Sequence, residues 1–101
     1  EGAGMKLVWA PVALNQAEEI ADFIAADNPN AAEKWLSGLF VATERLADYP
    51  ESGRPVPEIR RPEIREIVYG EYRIIYRVRT ATVALLTVRH GRRLLSENDL
   101  G

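Results

Sequence analysis

Seven arginines are threaded through a run of β-forming residues near the end of this chain, and few folds accept that combination. From Ile64 to Arg93 the sequence reads IREIVYGEYRIIYRVRTATVALLTVRHGRR. Ile64–Tyr69, Tyr72–Arg79 and Thr82–Arg89 are rich in Ile, Val, Tyr and Thr and have the length of strands. Gly70-Glu71 separates the first two runs with Gly in the first position, as a type II′ hairpin turn requires. Thr80-Ala81 divides the second and third. The reading is an antiparallel meander. Side chains alternate along a strand, so Tyr72, Ile74, Tyr76 and Val78 share one face, and Arg73, Ile75, Arg77 and Arg79 share the other. The first face is made for burial. The second carries three guanidiniums around one isoleucine, and burying it requires anionic partners.

The charge distribution sharpens this reading. The formal net charge of the 101 residues is −2. Residues 1–50 hold three cations against eight carboxylates, a balance of −5, whereas residues 51–101 hold ten arginines against seven carboxylates, a balance of +3. The second half contains no Lys, and Arg suits planar, bidentate contact with carboxylate or phosphate. An anionic partner is expected for that half. Cysteine is absent and histidine occurs once, which excludes disulfides, thiolate chemistry and an all-protein zinc site. No metal or cofactor is expected. No run reaches the roughly 18 apolar residues of a membrane span, and no signal peptide is apparent, so the expected location is the cytoplasm with no membrane partner.

Ahead of the meander the pattern is helical. Glu1–Gly4 before Met5 reads as a cloning scar, leaving residues 5–101 as one domain. Lys6–Trp9 is a short strand that must join the sheet for Val8 and Trp9 to be useful. From Pro11 to about Ala26, Ala13, Ala17, Ile20 and Ile24 recur at helical spacing, and Leu14, Ala21 and Phe23 widen the stripe. Asp27–Asn30 breaks this helix, and Asn30 with Glu33 resembles a capping box for a second helix running to about Asp48. Its inner face holds Ala32, Trp35, Leu36, Leu39, Thr43, Leu46 and Ala47. Pro50–Pro57 is a turn-rich connection, residues 58–63 are a loop or poor edge strand, and Ser96 is a candidate cap for a short tail. The element order β-α-α-β-β-β predicts an α+β fold in which an N-terminal helical hairpin packs on a small antiparallel sheet.

Six fragments then carry a family resemblance: V-W-A-P-x-A (Val8–Ala13), A-D-N-P-N-A-A (Ala26–Ala32), L-A-D-Y-P-E-S-G-R-P (Leu46–Pro55), I-R-E-I (Ile64–Ile67), G-E-Y-R-I-I-Y-R-V (Gly70–Val78) and V-R-H-G-R-R (Val88–Arg93). In this order and spacing they resemble the RelE/ParE superfamily of toxins from type II toxin–antitoxin, or plasmid stabilisation, modules. The resemblance spans nearly everything from Lys6 to Arg93 and implies a cognate antitoxin, with either a toxin homodimer or a toxin–antitoxin hetero-oligomer. Arg65-Glu66 and the H-G-x-R ending are similar to the ParE-like branch, which implies a non-enzymatic inhibitor of DNA gyrase without catalytic residues. The acidic isoelectric point of about 5.4 agrees with that branch. The alternative is a RelE-like, ribosome-dependent mRNA endoribonuclease in which Arg73, His90 and Arg92 form the catalytic site, Arg73 and Arg92 matching phosphate-contacting positions. Such cleavage needs a group to activate the 2′-OH, cations for the phosphate and a proton donor for the leaving oxygen. Against it, the sequence has no Lys after Lys34 and no Tyr after Tyr76.

The surface expected to meet target or antitoxin comprises Arg65, Glu66, Arg73, Arg77, Arg79, Arg89, His90, Arg92 and Arg93. A plainer reading stands beside it, in which Arg73, Arg77 and Arg79 lie on a solvated face with local pairs to Glu66 and Glu71. His90 is then only a satisfied strand-end residue, and Arg92 and Arg93 are a solvated turn. Under either active reading Arg73→Ala is expected to abolish toxicity with little loss of folding.

Overall fold

The structure is a computed structural model, and it describes residues 4–100; Glu1–Ala3 of the presumed scar and Gly101 of the tail lie outside the described residues. Strand β1 (Lys6–Trp9) turns Leu7 and Trp9 inward and leaves Val8 on the outside, 40% exposed. Pro11 occupies the first turn of helix α1 (Pro11–Ala25), where its missing N–H costs nothing. The buried line of α1 is Ala13, Ala17 and Ala21, small residues that bring the helix close to the sheet. Phe23 follows Ala21 by two positions, roughly 200° around the helix, and is 79% exposed rather than part of the inner stripe. Gln16 fastens α1 to the sheet: its Oε1 accepts from the Thr87 hydroxyl at 3.0 Å and from the Val88 N–H at 2.8 Å.

Helix α2 (Pro29–Glu44) starts at Asn28, not at Asn30. Asn28 has extended backbone angles and its Oδ1 accepts from the Ala31 N–H at 3.1 Å. Pro29 fills the first helical position, which fixes the cap one residue before it. Asn28→Ala is expected to lower stability by about 1 kcal/mol in urea unfolding. The inner face of α2 holds Ala32, Leu39 and Thr43 with half-buried Trp35 and Leu36, much as its periodicity predicts. Trp35 lies against Tyr69 and Tyr72, with ring centroids 5.8 and 5.5 Å away. A 3₁₀ turn (Arg45–Ala47) ends the helical hairpin, and its Leu46 is fully buried.

The remaining strands are β2 (Arg54–Pro55), β3 (Ile64–Tyr69), β4 (Tyr72–Val78) and β5 (Thr82–His90). Their order is β1-β5-β4-β3-β2. The meander β3-β4-β5 is antiparallel, as expected, but β1 lies parallel to β5, so the sheet is mixed. Two helices between β1 and the meander provide the long crossover that a parallel neighbour needs. The two-residue β2 falls within the stretch expected to be a turn-rich connection and borders β3. Tyr69 pairs with Tyr72 around the Gly70-Glu71 turn, and Gly70 has φ of 59°, the left-handed value that a II′ turn places on its first residue. Pairing of β4 with β5 shifts between Ile75 and Tyr76, where an extra β5 residue makes a bulge.

Both faces of the sheet are covered. Ile67, Ile74, Tyr76, Val83, Leu85 and Val88 meet Ala13, Ala17, Leu39 and Leu46 in the main core beneath the helices. On the opposite face Val56, Ile59, Ile64, Ile75, Leu86, Leu95 and Leu100 form a second, smaller core. The loop after β2 and the C-terminal 3₁₀ turn (Glu97–Leu100) supply its lid. Ser96, expected as a cap, instead donates from both its N–H and its hydroxyl to Asp99 Oδ2, at 2.8 and 3.2 Å. This second core corrects the expectation of a guanidinium face open to solvent. The periodicity of β4 places Ile75 among arginines, and burying Ile75 draws chain over its neighbours. No helix among the described residues is long and apolar enough to cross a membrane.

Candidate functional site

Arg73 and Arg89 are cross-strand partners on β4 and β5, two like charges side by side. Such a pair is unfavourable unless each is neutralised. Arg73 is 7% exposed and held by two carboxylates. Its Nε donates to Glu66 Oε1 at 2.7 Å, while Nη1 and Nη2 donate to the two oxygens of Glu58 at 2.8 and 2.9 Å. Nη1 also reaches the Arg93 carbonyl at 3.0 Å. Bidentate geometry makes the Glu58 contact the strong kind of ion pair. Glu66 is 1% exposed, and its other oxygen accepts from Arg54 Nε on β2 at 2.7 Å. Arg89 donates from Nη1 to the Leu94 carbonyl at 3.0 Å and pairs with Asp99 at 3.0 Å. The central guanidiniums of the sheet are therefore consumed by the chain itself.

Hydrogen bonding from Arg73 holds the Glu58 carboxyl well below its ordinary value of 4.5, at about 2, despite the opposing effect of burial. Glu58 also accepts from the Leu95 N–H at 3.0 Å, so one carboxylate ties β4, the loop after β2 and the tail together. Its side chain is only 21% exposed, which limits solvent screening. A carboxyl whose folded-state pKa is depressed stabilises the fold fully above its unfolded pKa, and the contribution fades as pH falls toward the folded value. Melting temperature is therefore expected to drop between pH 4.5 and about 2. The slope in Glu58→Gln should be shallower; an unchanged slope would remove Glu58 as its source.

The other expected site residues are dispersed. Arg65 Nη1 donates to the Gly53 carbonyl at 2.7 Å and anchors the loop before β2. Arg77 is half-buried and Arg79 exposed, at the end of β4 remote from the Gly70 turn. His90 is half-buried at the opposite end of the sheet, its ring 5.9 Å from that of Tyr72 and its Nδ1 accepting from the Arg92 N–H at 3.2 Å. Arg92 and Arg93 are exposed in the turn after β5. A continuous cationic surface is thus replaced by a buried ion-pair centre flanked by two separate basic ends. Glu71, expected as a local partner for the β4 arginines, lies instead 3.5 Å from His90. Beside Arg73 a cleft of about 430 Å³ is lined by Glu58, Glu66, Tyr72, Gly91 and the exposed Val68 and Leu94. Sequence reasoning missed Glu58 and Asp99. Strand parity points to Glu66, which lies on β3 diagonal to Arg73, but no periodicity links a loop carboxylate to a strand.

The architecture is an α+β layer: a small mixed sheet, a two-helix cover, and a sheet face closed by a loop and the tail. The family model described as "ParE toxin of type II toxin-antitoxin system, parDE" matches residues 7–95, and the chain belongs to that family. The chain is 36% identical over 88 residues to putative toxin Y4kP of Sinorhizobium fredii, covering 85% of this chain and 88% of that one. It is 34% identical over 90 residues to toxin RelE2 of Caulobacter vibrioides, covering 88% and 98%. Its fold resembles that of a chromosomal ParDE TA system from P. aeruginosa, with TM-score 0.72, 19% identity and 85% and 95% of the two chains covered. It also resembles the toxin–antitoxin complex RelBE2 from Mycobacterium tuberculosis, with TM-score 0.59, 21% identity and 86% and 98% covered.

Proposed function

We propose that this type II toxin acts by binding DNA gyrase rather than by cutting mRNA, and that a cognate antitoxin neutralises it. The observation that carries the reading is the engagement of Arg73. An endoribonuclease of the alternative kind requires this guanidinium to meet the scissile phosphate, yet its donors are directed to Glu58, Glu66 and the Arg93 carbonyl. A phosphate approaching there would meet two carboxylates before it met the cation. His90 supplies the remaining acid–base candidate, and its Nδ1 is taken by the Arg92 N–H. The arrangement lacks the paired base and acid, set on either side of a free cation, that 2′-OH attack requires.

Under this reading the toxin stabilises gyrase with its DNA cleaved, and broken DNA accumulates without a nuclease. The antitoxin would carry acidic and apolar residues toward the exposed basic ends and toward Val68 and Leu94. The test is supercoiling by purified gyrase with added toxin, run beside primer extension on translated mRNA. Accumulation of cleaved gyrase–DNA complex supports the proposal. Cuts in ribosome-bound mRNA with unaffected gyrase would overturn it in favour of the endoribonuclease. Inertness in both assays with antitoxin binding intact would leave a toxin retained only as a binding partner.

A further inference from the structure

At the end of the sheet remote from the Gly70 turn lies a cleft of about 310 Å³ lined by Arg61, Glu63, Arg77, Val78, Arg79 and Thr80. The fold treats these arginines differently from Arg73 and Arg89. Among the described residues neither Arg77 nor Arg79 has a carboxylate oxygen within 4.0 Å. Arg77 Nε, like Arg89 Nε, is shielded from solvent and lacks a hydrogen-bond partner among the described residues, so it is the missing carboxylate that sets Arg77 apart. The nearest anions are already committed: Glu63 and Glu97 both pair with Arg61, at 2.9 and 2.8 Å. Three guanidiniums thus line the cleft against Glu63, with Glu97 held at its rim, and the balance stays positive.

We propose that this cleft is a phosphodiester-binding site that receives the backbone of a nucleic acid. Arg77 near the end of β4 and Arg79 just beyond it stand two positions apart in the chain and both line the cleft. The Thr80 hydroxyl adds a neutral donor at the rim. Repeated anions along a strand suit such a row, with planar Arg groups meeting phosphate oxygens bidentately. An acidic peptide is the less suitable occupant, because peptide docking relies on pockets for apolar side chains and Val78 is the one apolar residue in the lining. The site is distinct from the Arg73 centre and from the His90 end. It goes beyond the gyrase reading, since the same cleft would serve a toxin positioned on DNA or on RNA.

The test measures fluorescence anisotropy of a labelled short DNA duplex and a labelled short single-stranded RNA with the full chain, between 50 and 200 mM salt. The expected result is binding that weakens at least tenfold at low salt in Arg77→Gln/Arg79→Gln. For the duplex, the slope of log K against log salt should become shallower by about 1.8, two phosphates at 0.9 each. Lys34→Gln, exposed on α2, serves as the comparison and should bind as the wild type does. Should the double variant fail to fold by circular dichroism, Arg79→Gln alone, at an exposed position, should make the slope shallower by about 0.9. Unchanged affinity and slope would overturn the proposal. So would failure of the wild type to bind either probe, or tighter binding of a poly-glutamate peptide that the same substitutions abolish.

Discussion

Arg73→Ala is expected to destabilise the fold by about 3–5 kcal/mol, the range for removing one partner of a buried ion pair. The substitution leaves Glu66, 1% exposed, with Arg54 as its one remaining partner cation among the described residues, and frees Glu58, which otherwise joins β4 to the tail through Leu95. The second core should loosen with them, because Leu95 and Leu100 cover Ile75 from segments that Glu58 and Arg89 hold in place. Urea unfolding of wild type and variant gives the difference directly. Arg73→Lys should recover only part of it, since an ammonium cannot form the fork that bridges both carboxylates. A double-mutant cycle with Glu66→Ala should yield a coupling of about 0.5–3 kcal/mol. A loss below about 1 kcal/mol in Arg73→Ala would mean that the carboxylates relax into water, and the buried-centre account would fail. This outcome bears on toxicity assays. A non-toxic Arg73→Ala strain would reflect a folding defect before it reflected a lost contact, contrary to the expectation drawn from the sequence.

Gly53→Ala is expected to cost on the order of 1–3 kcal/mol, as over-packing of a tight site does. A Cβ at this position would collide with the Glu66 carbonyl oxygen and the Tyr76 hydroxyl. That hydroxyl belongs to a fully buried ring; it accepts from the Gly53 N–H at 2.9 Å and donates to the Pro50 carbonyl at 2.8 Å. Arg65 holds the Gly53 carbonyl from the other side. The loop cannot back away without breaking all three bonds. Tyr76→Phe keeps the packing but leaves the Gly53 N–H without its acceptor, for an expected loss of about 1–3 kcal/mol. Thermal melts of both variants check this, and wild-type stability in both would show that the loop is not clamped. The result would also explain a sequence fragment. In L-A-D-Y-P-E-S-G-R-P the Pro, Gly and Arg residues look like loop punctuation, yet Pro50, Gly53 and Arg54 each make a contact that seats the strand end.

The division between what was legible and what was not follows the range of the forces. Strand and helix positions came from periodicity, a local property: α1, β3, β4 and β5 fall within a residue of those expected, whereas α2 ends at Glu44 instead of near Asp48 and β2 stands where a turn-rich connection was expected. Two other departures were also local in origin: Pro29 moved the cap to Asn28, and the angle around α1 exposed Phe23. The inward position of Trp35 and the parity of β4 were likewise within reach of the sequence.

The sequence by itself determined the family, the α+β class and which side chains of β4 lie on each side of the sheet, because alternation is fixed by backbone geometry. Only the tertiary structure decided what faces those arginines. Glu58 is 15 residues from Arg73 along the chain, and Asp99 is ten from Arg89. Electrostatic neutralisation acts through space, and desolvation by Ile75 and Leu86 selects which guanidiniums must be matched. The sheet therefore carries arginines that the fold pairs with carboxylates, at Arg73 and Arg89, and arginines that no carboxylate of the described residues approaches within 4.0 Å, at Arg77 and Arg79.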